Sequence, residues 1–194
     1  MKAKIGTLLM AIGYLMVAAA VVLFVLNNIE QQNAAKSTDE LMPKLIKEIN
    51  DGQKNIVNPA EKSEMTVKKI DGFEYIGFVG IPKLGLELPV MADWSEYRLK
   101  VAPCRYSGNL YDDDLVIMAH NYKVHFKNLD RLQAGDTVTF TDMDAVTTEY
   151  QVAALDMLHE TDIEQMTAGE YDLTLFTCSY SGSSRVTVRC DRKA

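Results

Sequence analysis

Thr174-Leu175-Phe176-Thr177-Cys178 decides how this chain is read. Apolar and β-branched residues in this run predict a strand, with Thr174, Phe176 and Cys178 on one face and Leu175 and Thr177 on the other. Cys178 stands where the strand runs out. The small polar residues from Ser179 to Ser184 read as a mobile loop, and Arg185 opens a second strand whose apolar face resumes at Val186 and Val188. Alone, a cysteine after an apolar run is an inert core thiol. Upstream, however, Leu115-Val116-Ile117-Met118-Ala119-His120-Asn121 also ends an apolar strand in a titratable side chain. A thiol becomes a strong nucleophile where a neighbour lowers its pKa or accepts its proton, so Cys178, His120 and Arg185 together point to acyl transfer through a thioester. His125, beside Phe126, and His159, beside Glu160, read as ordinary solvated histidines.

Working outward, short runs rich in Val, Ile, Thr, Tyr and Phe alternate with Gly, Asn and Asp from Phe73 onward. Strands are expected at Tyr75 to Ile81, Leu86 to Met91, Leu115 to His120, Thr137 to Thr141, Thr148 to Leu158, Asp172 to Cys178 and Arg185 to Cys190. Helical pieces are brief, as at His125 to Leu132 and Asp162 to Met166, so the fold class is mainly β, a closed or nearly closed barrel. Before it lie two other segments. Lys2 and Lys4 precede an uncharged apolar run from Ile5 to Leu26, which as a helix at about 1.5 Å per residue roughly spans a bilayer core of about 30 Å. Ala18-Ala19-Ala20 resembles a signal-peptidase site, but the apolar run continues through Leu26, so an anchor is expected. The lysines put the N-terminus in the cytoplasm and everything after Asn27 outside. Leu41, Leu45, Ile46 and Ile49 then fall at helical spacing, with Ser37 and Glu40 in capping-box form. That helix is expected to start near Thr38, with Pro43 in its first turn, and to end at Asn50-Asp51-Gly52 through a left-handed cap. The expected division is a single-pass transmembrane helix over 5–27, an extracellular helical stalk, partly docked, over 28–72, and a catalytic barrel over 73–194.

The sequence has 194 residues, is 47% hydrophobic and carries a net charge of -7, which suits one catalytic domain and gives no basic face for nucleic acid. Its three cysteines form no CxxC pair, so no structural zinc is expected. Cys104 and Cys190 are open to two readings, a disulfide or, more simply, two buried free thiols. Asp112-Asp113-Asp114 points three carboxylates in different directions and reads as a hydrated turn, not a calcium site. No metal or cofactor is expected.

Several ordered segments resemble one family. Thr174-Leu175-Phe176-Thr177-Cys178 is similar to the TLxTC signature of sortases, the membrane-anchored cysteine transpeptidases of Gram-positive bacteria. Arg185-Val186-Thr187-Val188 resembles the segment that begins with the family arginine, and Ala119-His120-Asn121 the catalytic-histidine segment. Ile81-Pro82-Lys83-Leu84-Gly85-Leu86-Glu87-Leu88-Pro89-Val90 resembles the paired early strands, and Phe126-Lys127-Asn128-Leu129 through Gly135-Asp136 the turn after the histidine. The resemblance covers roughly 73–192. It implies an eight-stranded β-barrel that cleaves an LPXTG-like sorting signal and transfers the acyl group to an amine, from a peptidoglycan precursor or a pilin lysine. Cys178 would be the nucleophile, His120 the acid and base, and Arg185 the group that holds substrate and stabilises the carbonyl oxygen, with Thr177 and Asn121 contacting substrate. Arg189 shares the face of Arg185 and Thr187 but lies about 13 Å away at about 3.3 Å per residue, and reads as a surface charge.

The subclass stays open. The short stretch before Asp172 does not suit the helical insertion of class B sortases, and no second apolar span follows Arg192. Asp93-Trp94 is similar to a lid motif of pilin sortases but falls after the early strands and reads as ordinary loop. Three other readings compete: a peptidase that hydrolyses its thioester, an L,D-transpeptidase, and a non-catalytic module that binds peptides. The second lacks its compact histidine-glycine-cysteine-arginine segment around Cys178.

Overall fold

The computed structural model describes residues 2–52, 62–179 and 182–193. Eight strands close into a barrel: β2 (Phe73–Ile81), β3 (Leu86–Met91), β4 (Cys104–Ser107), β5 (Leu115–Met118), β6 (Thr137–Asp142), β7 (Thr147–His159), β8 (Leu173–Cys178) and β9 (Ser184–Arg192). Their order is β2-β3-β4-β5-β8-β9-β7-β6, and β6 pairs back on β2 to shut the ring, with a three-strand-residue flap, β1 (Lys68–Ile70), extending β2. Gly77 sits at the closure, where β2 is paired on both sides through Val90 and Asp142. Its φ of +149° and the Thr141 carbonyl in the place a Cβ would occupy admit no side chain there.

The barrel is filled by the alternate residues of its strands. Ile76, Val79, Leu88, Ile117, Phe140, Leu175 and Val188 all face inward and are buried. β1 and β4 escape sequence reading because each is short and carries charge, Lys68-Lys69 in one and Arg105 in the other, without an alternating apolar pattern. The strand expected to reach His120 stops at Met118, two residues earlier. Cys104 and Cys190 are buried free thiols, the simpler of their two readings.

The N-terminal segment differs from expectation in one respect. It is a single helix, α1 (Lys2–Gly52), with Pro43 in its interior, not two helices with a new start near Thr38. The Thr38 hydroxyl donates to the Ala34 carbonyl at 3.2 Å, as a residue inside a helix does, so the Ser37–Glu40 capping box has no free helix end to cap. Gly52 is still helical and has no positive φ. Pro43 removes one helix hydrogen bond, and packing offsets the loss. Ala34, Leu41, Leu45 and Ile49 are buried, and the last three join Ile70, Tyr75, Met91 and Met143 in a second apolar cluster outside the barrel. The apolar run in the first part of α1 is long enough to cross a membrane and none of it is buried.

Candidate active site

β5 and β8 are parallel neighbours, in register from Leu115↔Leu173 to Met118↔Phe176. Beyond the last pair the Ala119 N–H donates to the Phe176 carbonyl at 3.2 Å, and the Thr177 hydroxyl donates to the Ala119 carbonyl at 2.8 Å. These two bonds latch the strand ends together, so His120 and Cys178 leave the sheet from adjacent strands at the same edge. On the other side of β8, Cys178 is paired directly with Arg185 across the β8–β9 hairpin. That hairpin is tied by Ser179 N–H to the Ser184 carbonyl at 2.8 Å and by Gly182 N–H to the Ser179 carbonyl at 3.0 Å. Tyr180 and Ser181, part of the loop expected to be mobile, lie outside the described residues.

The three side chains line one cleft of about 290 Å³, together with Thr177. It opens on the outer face of the sheet, because Thr174, Phe176 and Cys178 alternate with the inward-facing Leu173 and Leu175. Its apolar wall is an aromatic series: Trp94 stacks on Tyr106 with centroids 5.8 Å apart, and Tyr106 meets Phe176 edge-on at 5.3 Å. Trp94 is therefore cleft wall, not the ordinary loop expected of Asp93-Trp94. Ile163 and Met166 of α3 (Ile163–Met166), with Glu160 before it, form the facing wall. The other cleft-facing segment is α2 (Glu96–Leu99), a helical turn capped by the Ser95 hydroxyl.

Burial holds the His120 pKa below its usual 6.5, while the Glu96 and Glu30 carboxylates act in the opposite sense and Lys100 adds to the depression. His120 Nε2 is buried and has no hydrogen-bond partner among the described residues. A neutral imidazole that lines the cleft is suited to exchange a proton with a group that enters it. Arg185 donates from Nη1 to the Gly182 carbonyl at 2.9 Å and to the Ser184 carbonyl at 3.2 Å, and its Nη2 is 3.9 Å from Glu160. The guanidinium is thus braced on its own hairpin at the mouth of the cleft.

The structure separates the two arginines that share a strand face, and corrects the reading of Arg189 as a surface charge. Arg189 is 5% exposed. Nε donates to Asp156 at 3.2 Å, Nη1 to the Met166 carbonyl and the Thr174 hydroxyl, each at 3.2 Å, and Nη2 to the Gln165 carbonyl. Arg189 ties α3 to the barrel and has no donor directed to the cleft. His125 is a second correction: it is fully buried, not solvated, and neither ring nitrogen has a partner among the described residues. His159 is exposed, with Nδ1 2.9 Å from the Thr161 hydroxyl.

Thr177 lines the cleft, but its hydroxyl is committed to Ala119. Asn121 lies in a neighbouring groove of about 350 Å³ that also reaches Cys178, and its Oδ1 is a buried acceptor without a partner among the described residues. Asp112 and Asp114 both accept from Asn109, from its side-chain amide and its main-chain N–H, and Asp113 accepts from Arg192. No group of three His, Cys, Asp or Glu side chains among the described residues is placed to hold a metal ion. Tyr122 and Glu30 are site neighbours that sequence reading passes over, because Glu30 stands 90 residues before His120 and carries no local motif.

A family model described as the sortase domain matches residues 79–193. No curated protein matches. Among solved structures, sortase C1 of Streptococcus suis is 27% identical with a TM-score of 0.53, over 62% of this chain and 73% of that one. Sortase C of Streptococcus pneumoniae is 21% identical with a TM-score of 0.59, over 80% of this chain and 97% of the other. A lid mutant of sortase A from Corynebacterium diphtheriae shares the fold at 17% identity and a TM-score of 0.54, over 81% and 96%.

Proposed function

Because the chain belongs to the sortase family, its domain matched over more than half of the sequence, we propose that it is a membrane-tethered cysteine transpeptidase acting on an LPXTG-like sorting signal. The observation that carries this reading is the single cleft shared by Cys178, His120 and Arg185, far apart in sequence and brought together by the β5–β8–β9 order. Cys178 Sγ gives up its proton to His120 and attacks the scissile carbonyl carbon. Negative charge develops on the carbonyl oxygen, and Arg185, already at the cleft mouth, supplies donors to it. His120 hands a proton to the departing amine as the C–N bond breaks, leaving a thioester on Cys178. An incoming amine then loses a proton to His120 and attacks the thioester, the C–S bond breaks, and the Cys178 thiolate takes that proton back from His120. The acceptor is an amine of the cell wall or of a pilin lysine. Asn121, in the groove that also reaches Cys178, and Thr177, in the cleft wall, would contact the substrate.

The apolar first part of α1 suits a single membrane span over about 5–27, with Lys2 and Lys4 on the cytoplasmic side and the barrel outside. The test uses the full chain in detergent or nanodiscs with a sorting-signal peptide and an added amine. Cys178→Ala is expected to abolish cleavage while leaving the thermal transition in place. Retained cleavage by that variant removes the proposal. Product analysis with and without the amine separates transpeptidation from hydrolysis.

A further inference from the structure

We propose that Glu30, in the first turn of α1 beyond its apolar run, is a positioning residue of the cleft: its carboxylate fixes Tyr122 and Lys100, and through the Tyr122 ring the imidazole of His120. The inference rests on the reading of His120 as the proton-transfer group. The Tyr122 hydroxyl donates to Glu30 Oε2 at 3.2 Å, and Lys100 Nζ donates to Oε1 at 2.9 Å, so both carboxylate oxygens are used. The Tyr122 ring lies 4.9 Å from that of His120, tilted by 35°. Tyr122 is 8% exposed, so little room is left for it to adopt another position.

A catalytic imidazole is usually oriented by a hydrogen-bonded third group. Among the described residues no carboxylate bonds His120, and its orientation comes from packing. The ring that packs on it is held by a residue 92 positions earlier in the chain, on the helix that emerges from the apolar segment. Glu30 acts a second time through its charge. Burial and Lys100 oppose the imidazolium, Glu96 and Glu30 favour it, and the buried His125 beyond Tyr122 feels the His120 charge in turn. Cys178, Arg185 and Glu160 complete the groups that face the cleft. The tethering helix is in this way part of the catalytic machinery and more than a leash.

The experiment compares full-length wild type, Glu30→Gln, Glu30→Asp and Tyr122→Phe in nanodiscs, with Glu40→Gln on the same helix as control. The readouts are the His120 titration midpoint by NMR, assigned with a His120→Gln variant, and kcat and KM for peptide transfer. Removing the Glu30 charge is expected to lower the His120 midpoint by a few tenths of a pH unit, the size of one screened charge. Glu30→Gln and Tyr122→Phe are expected to lower kcat roughly three- to tenfold with KM nearly unchanged, a fraction of a full acid–base contribution. Glu30→Asp should restore the midpoint, and Glu40→Gln should change neither readout. An unmoved midpoint in Glu30→Gln, with or without a lower melting temperature, overturns the proposal. If the wild type transfers no peptide, the functional reading of the site fails, while the midpoint still reports on the Glu30 link.

Discussion

Replacing Arg189 by methionine tests whether the two arginines of β9 have been given the right tasks. Arg189 makes four hydrogen bonds, to Asp156, Thr174 and the Gln165 and Met166 carbonyls, and its guanidinium lies 5.6 Å from the centre of the Tyr171 ring. Asp156 is 42% exposed, so that ion pair is screened and contributes little. The carbonyls of α3 lose a charged donor, each such bond being worth about 1.5–3 kcal/mol before water replaces part of it. Methionine fills the volume of the arginine stem but offers no donor, and a net loss of about 2–4 kcal/mol is expected. For a chain of this size that corresponds to a melting temperature lower by roughly 5–15 °C. KM should rise as well, because α3 carries Ile163 and Met166 into the cleft wall. Arg185→Lys should do the opposite, leaving the melting temperature nearly unchanged and lowering kcat/KM by about 10²-fold, the scale for one oxyanion donor. Differential scanning fluorimetry and peptide-transfer kinetics on the same detergent preparations read both effects. If Arg189→Met melts with the wild type and loses kcat, Arg189 faces the carbonyl and the assignment is reversed.

Alkylation should distinguish the three thiols. Burial pushes Cys104 and Cys190 up to about 12, so near pH 8 iodoacetamide should label the folded chain once, at Cys178, and three times in urea, by mass spectrometry; native labelling at Cys104 or Cys190 contradicts the packing. Burial also pushes His125 down to about 4 from 6.5, so between these values the unfolded chain binds more protons than the folded one. Stability is expected to fall as pH drops through 6.5, by up to about 3 kcal/mol near pH 4 from this residue. His125→Asn should flatten that part of the pH–stability curve, and an unchanged slope would falsify the burial argument.

Local pattern carried much of the fold and of the site. Leu173 to Cys178 and Leu115 to Met118 are short, almost wholly buried runs in the centre of the sheet, and each leads to a candidate site residue at or just past its end. Where exposure and length break the alternation, as in Cys104–Ser107, the strand is invisible. Arg189 and His125 were misread for a shared reason. Their burial is imposed by α3 and by the Tyr122–Phe126 turn, segments whose docking no local spacing announces. Trp94 has its meaning only through Tyr106 and Phe176, which belong to other strands. Pro43 suggested a boundary by its local chemistry, and tertiary packing of Leu41, Leu45 and Ile49 overrode it.

The unbroken course of α1 from Lys2 to Gly52 has a mechanical consequence. With no joint between the apolar run and the docked face, height and heading are one setting: Glu30 stands about 6 Å along the axis beyond Leu26 at about 1.5 Å per residue. Inserting one residue in that interval would raise the barrel by about 1.5 Å and swivel it by about 100° about the rod. With the apolar run seated in a bilayer as proposed, the chain would be a ruler and a compass for its own cleft, setting the altitude and azimuth of Cys178 together.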